Sequence, residues 1–235
     1  RRATVEPLTG LPMREAIVGF STVSIIEALG GTPEPLIKAI TNGTIRGVAG
    51  LVSCTSLRDS GQDVHSVQIA KELIKRNILV LSMGCGNAAM QVAGLCSLEA
   101  KEMAGNGLKA VCELLKIPPV LSYGTCTDTG RIADLLAALS YSLGGISVSD
   151  LPVAAVAPEY MEQKATIDAV FALAFGLYTY VNPVPTVTGG SNLVKLLTED
   201  CKQVTGGVMN VEKDPVKAVD GILAHIEGKR AKLGI

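Results

Sequence analysis

The chain has 235 residues, a formal net charge of −1, 48% hydrophobic and 18% charged residues, 25 glycines, 3% aromatics and no tryptophan. Such a composition fills a sizeable aliphatic core, of the kind that suits parallel strands buried on both faces. No basic patch with interleaved aromatics appears, so nucleic acid is not an expected partner; no apolar run reaches membrane-spanning length and no secretory signal is read, so a cytoplasmic location is expected.

Residues 1–15 carry Pro7, Gly10 and Pro12 without periodicity and read as a linker. They lead into one domain over 16–235. The chain starts at Arg1, so a fragment or processed chain is expected. An apolar run at 16–20 predicts a short strand, and Ser21 can cap a helix to about residue 29. Thr32-Pro33 opens a second helix to about 42. A strand is expected over 45–52. Residues 63–77 read as an amphipathic helix with Val64, Val67, Ala70, Leu73 and Ile74 on one face.

A strand over 78–82 then precedes helices at 88–95 and 107–115. Further strands are expected at 119–123 and 152–157, around a helix at 129–143. Pro158 is expected to open a long helix to about 175. Strand pieces at 178–181 and 186–187 precede closing helices at 191–197 and 215–231. This alternation predicts an α/β fold: a doubly wound, mainly parallel, Rossmann-like sheet with helices on both faces and right-handed crossovers.

Six cysteines are present: Cys54, Cys85, Cys96, Cys112, Cys126 and Cys201. In a long chain without a secretory signal, metal or catalytic use of a subset is favoured over a disulfide framework. Cys54, Cys85 and Cys126 each fall just after an expected strand. In a parallel sheet all C-terminal strand ends lie along one edge, where doubly wound folds place their ligands. Gly84 and Gly86 flank Cys85, and Gly124 lies two before Cys126, so the backbone can turn sharply there and approach a large object. Helices expected after each cysteine would offer amide donors and a positive dipole end to a thiolate. Three thiolates point to a soft metal or an iron–sulfur cluster. The alternative is three buried structural cysteines. Cys96, Cys112 and Cys201 lack this placement and read as small buried hydrophobes.

Residues 84–89 (G-C-G-N-A-A) also match the G-x-G-x-x-A dinucleotide fingerprint after a strand. The acidic residue expected roughly 20 residues on, at a second strand end, is missing. A nucleotide-binding Rossmann domain with incidental cysteines therefore stays as an alternative. His65 reads as a capping or surface residue near a helix start.

Four segments occur in order: 52–63 (V-S-C-T-S-L-R-D-S-G-Q-D), 82–89 (S-M-G-C-G-N-A-A), 122–128 (S-Y-G-T-C-T-D) and 158–165 (P-E-Y-M-E-Q-K-A). Together they resemble the C-terminal third of the anaerobic nickel-containing carbon monoxide dehydrogenases, over essentially all of 16–235. The resemblance implies a reversible reaction in which CO and water give CO2, two protons and two electrons. In that family a nickel–iron–sulfur cluster is held by five cysteines and one histidine. Three of the cysteines correspond by motif to Cys54, Cys85 and Cys126, and a catalytic lysine corresponds to Lys164. The other ligands, the further 4Fe-4S clusters and a proton-relay histidine belong to the preceding domains. Neither His65 nor His225 sits in a matching motif.

Lys164 would donate hydrogen bonds to a developing carboxylate and could help move protons. Glu159 could pair with Lys164 along a helix face and, with Glu162, reads as structural. The resemblance further implies a homodimer, contact with the N-terminal domains of the same enzyme, and an electron carrier such as a ferredoxin. The fragment alone is expected to be inactive and could be metal-free. The rival within the resemblance is the hybrid-cluster protein, an iron–sulfur oxidoreductase with a related E-Q-K-A segment but different cluster motifs.

Overall fold

The computed structural model describes residues 15–57, 61–161 and 163–235. All but Glu15 of the expected linker lies outside them. Six parallel strands form one sheet: β1 (Gly47–Val52), β2 (Ile78–Met83), β3 (Val120–Gly124), β4 (Val153–Ala157), β5 (Tyr178–Val181) and β6 (Val208–Val211). Their order is β3-β2-β1-β4-β5-β6. The order reverses between β1 and β4, and that is the switch point at which such sheets open a crevice.

The central strands are buried because they are almost wholly apolar, Gly-Val-Ala-Gly-Leu-Val in β1 and Ile-Leu-Val-Leu-Ser-Met, with Ser82 alone polar, in β2. Helices α1 (Thr22–Ala28) and α2 (Glu34–Thr41) precede β1, and α3 (Val64–Lys75) joins β1 to β2. Helices α4 (Cys85–Val92) and α5 (Asn106–Leu115) join β2 to β3. Next come α6 (Gly130–Ser142), α7 (Gln163–Ala174), α8 (Ser191–Lys195), α9 (Cys201–Val204) and α10 (Pro215–Leu233). A π-helical turn, Leu196–Asp200, links α8 to α9.

Opposite faces of the sheet carry different helices. On one side a Cβ at Gly47 would meet Pro152 O at 2.4 Å and Ile226 of α10 at 2.8 Å, so only glycine lets that helix lie against β1. On the other side Gly50 faces Ile132 of α6. Helix α10 starts at Pro215 with the Asp214 carboxylate accepting from the Val216 and Lys217 amides, both at 2.9 Å, and stops at Gly234 with φ 71°. Its Arg230, 2% exposed, donates to Ile40 O at 2.6 Å and Arg46 O at 3.3 Å, tying the C-terminal helix to the end of α2 and the start of β1.

The structure departs from sequence expectation in several places. No strand covers 16–20; Val18 makes one isolated bridge to Ser122. Residues 186–187 lie in a turn. β6 was not anticipated, because a four-residue edge strand with half-exposed side chains carries no buried apolar run. On α3, Val64 is 45% exposed, and the buried face uses His65, Ser66 and Ile69 besides Ala70, Leu73 and Ile74. His65 is therefore not a surface or capping residue: it is buried, and its Nε2 lies 2.9 Å from Tyr180 Oη. The Tyr180 hydroxyl donates to Glu212 O at 2.9 Å, so the histidine nitrogen carries the other proton. Helix α7 begins at Gln163, not at Pro158.

His225 of α10 stacks on Tyr178 with ring centroids 5.0 Å apart. Burial, reinforced by Lys229 and Lys232, pushes its imidazole down to about 4. The unfolded chain takes up a proton near pH 6.5 that the folded ring refuses until about pH 4. This residue therefore costs stability as pH falls through that window and nothing above it. Urea midpoints at pH 7 and pH 5 should differ less in His225→Gln than in the unsubstituted protein; an unchanged difference would contradict the assignment.

Candidate metal centre

Cys54 lies two residues beyond β1 and is 9% exposed; its amide donates to Glu159 O at 2.8 Å. Cys85 is the first residue of α4 and is exposed. Cys126 opens a 3-10 turn, Cys126–Asp128, two residues past the end of β3, and is half-buried. That turn is held by Thr125, whose amide and hydroxyl donate to Asp128 Oδ2 at 3.4 and 3.1 Å, and by Thr129 Oγ1, which donates to Cys126 O at 2.6 Å. Lys164 sits in the first turn of α7, beyond β4, with an exposed side chain. None of the six cysteines is in a disulfide.

These four residues, far apart in sequence, line one cavity of about 20 Å³ at the C-terminal edge of the sheet, together with Val52, Ser53, Ala165 and Asp168. Three of the walls hang from β1, β2 and β3, and the fourth from β4 across the switch point. The space is roughly that of one water, so the thiols form a rim, not a chamber. Among the described residues no three Cys, His, Asp or Glu side chains stand close enough to hold a single metal ion.

Main-chain hydrogen bonds bind the cysteine loops to one another. Ser53 N donates to Met83 O at 3.2 Å, Gly86 N to Ser53 O at 2.8 Å and Gly84 N to Gly124 O at 3.1 Å. A Cβ at Gly84 would meet Ser53 O at 2.6 Å, and one at Gly86 would meet Ser53 Cβ at 2.5 Å. Gly84 also has φ 80° and Gly124 φ 117°, a backbone region that favours glycine. The near object that Gly84 and Gly86 accommodate is thus the neighbouring Cys54 loop, whereas Gly124 faces the Asp128 carboxylate. Of the three cysteines only Cys85 stands at the start of an α-helix; α3 begins ten residues after Cys54.

Cys96 and Cys112 lie in the hydrophobic core, where burial pushes both thiols up to about 12. Such thiols stay protonated and inert. Cys201 is half-buried at the start of α9, less enclosed than a core residue.

Two residues of the site went unread in the sequence, and a third was given the wrong partner. Ser53 is the hub of the backbone contacts. Asp168 lines the cavity one helical turn after Lys164, a spacing that the helical period could have revealed. Burial raises its carboxyl, while Lys164 and a hydrogen bond from Thr129 pull it back. Asp168, Val52 and Ala165 also line a second, apolar cavity of about 70 Å³ between α6 and α7. Glu159 is the third. It precedes α7 and does not pair with Lys164 along a helix face: its carboxylate takes the Ser56 amide at 3.3 Å, the Ser66 amide at 3.3 Å and the Ser66 hydroxyl. Glu162 lies outside the described residues.

Comparison with known proteins supplies the family. Carbon monoxide dehydrogenase 2 of Methanosarcina mazei is 74% identical over the whole chain, which covers 37% of that protein. The Ni-free carbon monoxide dehydrogenase of Thermococcus sp. AM4 superposes with a TM-score of 0.89 at 46% identity, over 93% of this chain and 34% of that one. A structure described as holding NiZn[Fe4S4] and NiNi[Fe4S4] clusters, in alpha subunits of acetyl-CoA synthase/carbon monoxide dehydrogenase, gives a TM-score of 0.87 at 31% identity, over 93% and 34%. The chain thus spans little more than a third of its relatives' length. These relatives are dehydrogenases, which supports that reading over the hybrid-cluster protein and the plain nucleotide-binding domain. The description Prismane/CO dehydrogenase family matches residues 3–216, and the chain belongs to that family.

Proposed function

We propose that this chain is the part of an anaerobic nickel–iron–sulfur carbon monoxide dehydrogenase that brings Cys54, Cys85 and Cys126 as thiolate ligands, and Lys164 as a catalytic residue, to the reaction centre. The observation that carries the reading is the shared cavity of those four residues at the switch point of a parallel sheet. The donor set fits the cofactor: three thiols suit iron and nickel with sulfide. Thiols spread round a rim, not converging on one point, fit a polynuclear cluster better than a single ion. A group of that size would sit outward on the rim, where Cys85 and Lys164 are exposed, and the preceding domains of the full-length enzyme would cover it with the remaining ligands.

The cluster, when bound, supplies the redox and Lewis-acid chemistry that turns CO and water reversibly into CO2, two protons and two electrons. The residues of this chain do the rest of the local work. The three cysteines give up their protons and anchor the group. Lys164 directs positive charge and N–H donors to the carboxylate-like charge that develops, and it can accept or return a proton at Nζ. Val52 and Ala165 present apolar walls beside it, which keep water sparse and strengthen that charge interaction. The full-length enzyme is proposed to be a cytoplasmic homodimer that passes electrons through further 4Fe-4S clusters to a carrier such as a ferredoxin. Residues 1–15 are proposed as the linker from the preceding domain, with 16–235 the Rossmann-like domain.

In the full-length enzyme, Cys85→Ala or Cys126→Ala should abolish CO oxidation and disturb the cluster's electron paramagnetic resonance, whereas Cys112→Ala should keep activity apart from a packing cost. Equal losses in all three would contradict the ligand assignment. Lys164→Ala should retain nickel and iron yet lose roughly a hundred- to a thousandfold in turnover. Lys164→Arg should rescue poorly, because a planar guanidinium does not replace a compact ammonium. Near-normal turnover in Lys164→Ala with full metal content would overturn its role. Residues 1–235 alone, reconstituted anaerobically with iron, sulfide and nickel, should show no sustained CO-dependent viologen reduction; sustained turnover would show that the site is complete without further domains.

A further inference from the structure

We infer that Glu159 is a positioning residue for the metal centre: its buried carboxylate fixes the Cys54 loop relative to the helix that carries Lys164. The inference rests on the reading of Cys54 and Lys164 above. Glu159 is 1% exposed, and a charge or polar group this deeply buried is tolerated only when hydrogen bonds satisfy it. Here the donors are all neutral and all local to the site. Oε1 accepts from the Ser56 amide, two residues past Cys54, at 3.3 Å. Oε2 accepts from the Ser66 amide at 3.3 Å and from the Ser66 hydroxyl, in the first turn of α3. The main-chain oxygen of the same residue accepts from the Cys54 amide at 2.8 Å and the Ser53 hydroxyl at 3.2 Å. One residue thus grips the Cys54 loop by backbone and by side chain, five positions before Lys164.

The geometry demands an acceptor at both oxygens. Glutamine in this place would turn its NH2 toward one of two amide N–H groups and lose a bond to it. Aspartate would fall short of the two donors. Neither change removes a residue that touches substrate, so the effect must pass through Cys54 and Lys164.

The test uses the full-length enzyme with Glu159→Gln, and Ser66→Ala as the milder variant in case the first does not fold. In metal-free protein, iodoacetamide labelling of Cys54 relative to Cys85 is followed by peptide mass spectrometry. A buried thiol reacts through local opening, so a loosened loop should label severalfold faster. In loaded protein, kcat per bound nickel should fall about tenfold to a hundredfold, with KM for CO changed by less than about twofold. The electron paramagnetic resonance of the centre should shift as well. Ser66→Ala, which removes one of three donors, should move the same readouts in the same direction by less.

A merely structural role predicts lower melting temperature and yield, with the Cys54 labelling ratio and kcat per nickel unchanged. That result in Glu159→Gln, or in Ser66→Ala where Glu159→Gln does not fold, overturns the inference. Cys54→Ala separates the two levels. If it leaves metal content and activity intact, the ligand reading itself fails. If it abolishes both while the Glu159 and Ser66 variants behave like the unsubstituted enzyme, only the positioning role fails.

Discussion

The site depends on one constraint: the loops that leave β1, β2 and β3 are stitched to one another by their own backbone. Ser53 N reaches Met83 O, Gly86 N reaches Ser53 O, and Gly84 N reaches Gly124 O; Cys54 N continues the line to Glu159 beyond β4. Each bond contributes on the order of 1 kcal/mol net, but the set acts as a lattice, since no loop can move without breaking a bond to its neighbour. The sheet brings the loops to one edge; the lattice fixes where each thiol stands along it. Side chains then need little freedom, which is what a ligand rim requires if a metal group is to find its donors already placed.

This explains why part of the molecule was legible in the sequence and part was not. The central strands were readable because they are buried and therefore mostly apolar, and the shared edge of the cysteines after β1, β2 and β3 followed from parallel topology. β6 escaped because an edge strand is only half-buried. The start of α7 was misplaced for a different reason. Proline is at home in a first helical turn, so Pro158 looked like the opening of the helix. In the fold, however, the Glu159 carbonyl is given to Cys54 and the Ser53 hydroxyl, and its carboxylate to Ser56 and Ser66. Helix propensity is local; those acceptors are committed to partners about a hundred residues away, and no periodicity encodes that. His65, on α3, was misread for the same reason, since its partner Tyr180 lies on β5, far along the chain.

The six cysteines divide by environment more sharply than by sequence. Cys96 and Cys112 are enclosed by core side chains, and burial is the main force that holds their thiols up near 12. Cys85 and Cys126 stand at the rim, exposed and half-buried. Cys54 is the intermediate case, buried in side chain yet on the same wall. A thiolate ligand must shed its proton, and enclosure in the core opposes that for Cys96 and Cys112. Position after a strand therefore separates the three cysteines that line the cavity from the two that are shut into the core.

The same geometry disposes of the dinucleotide fingerprint at 84–89. In a nucleotide-binding turn the glycines clear space so that backbone amides can approach a pyrophosphate at a helix N-terminus. Gly84 and Gly86 do clear space, and Gly84 does precede a helix. But a Cβ on either would run into Ser53, at 2.6 and 2.5 Å, so the clearance is already filled by protein. The Gly86 amide, one of the donors an anion would need, is turned to Ser53 O. The motif matches because both uses need a backbone without side chains after a parallel strand. Here the missing side chains let two cysteine loops close on each other, and the residue between the glycines, Cys85, is left facing the rim.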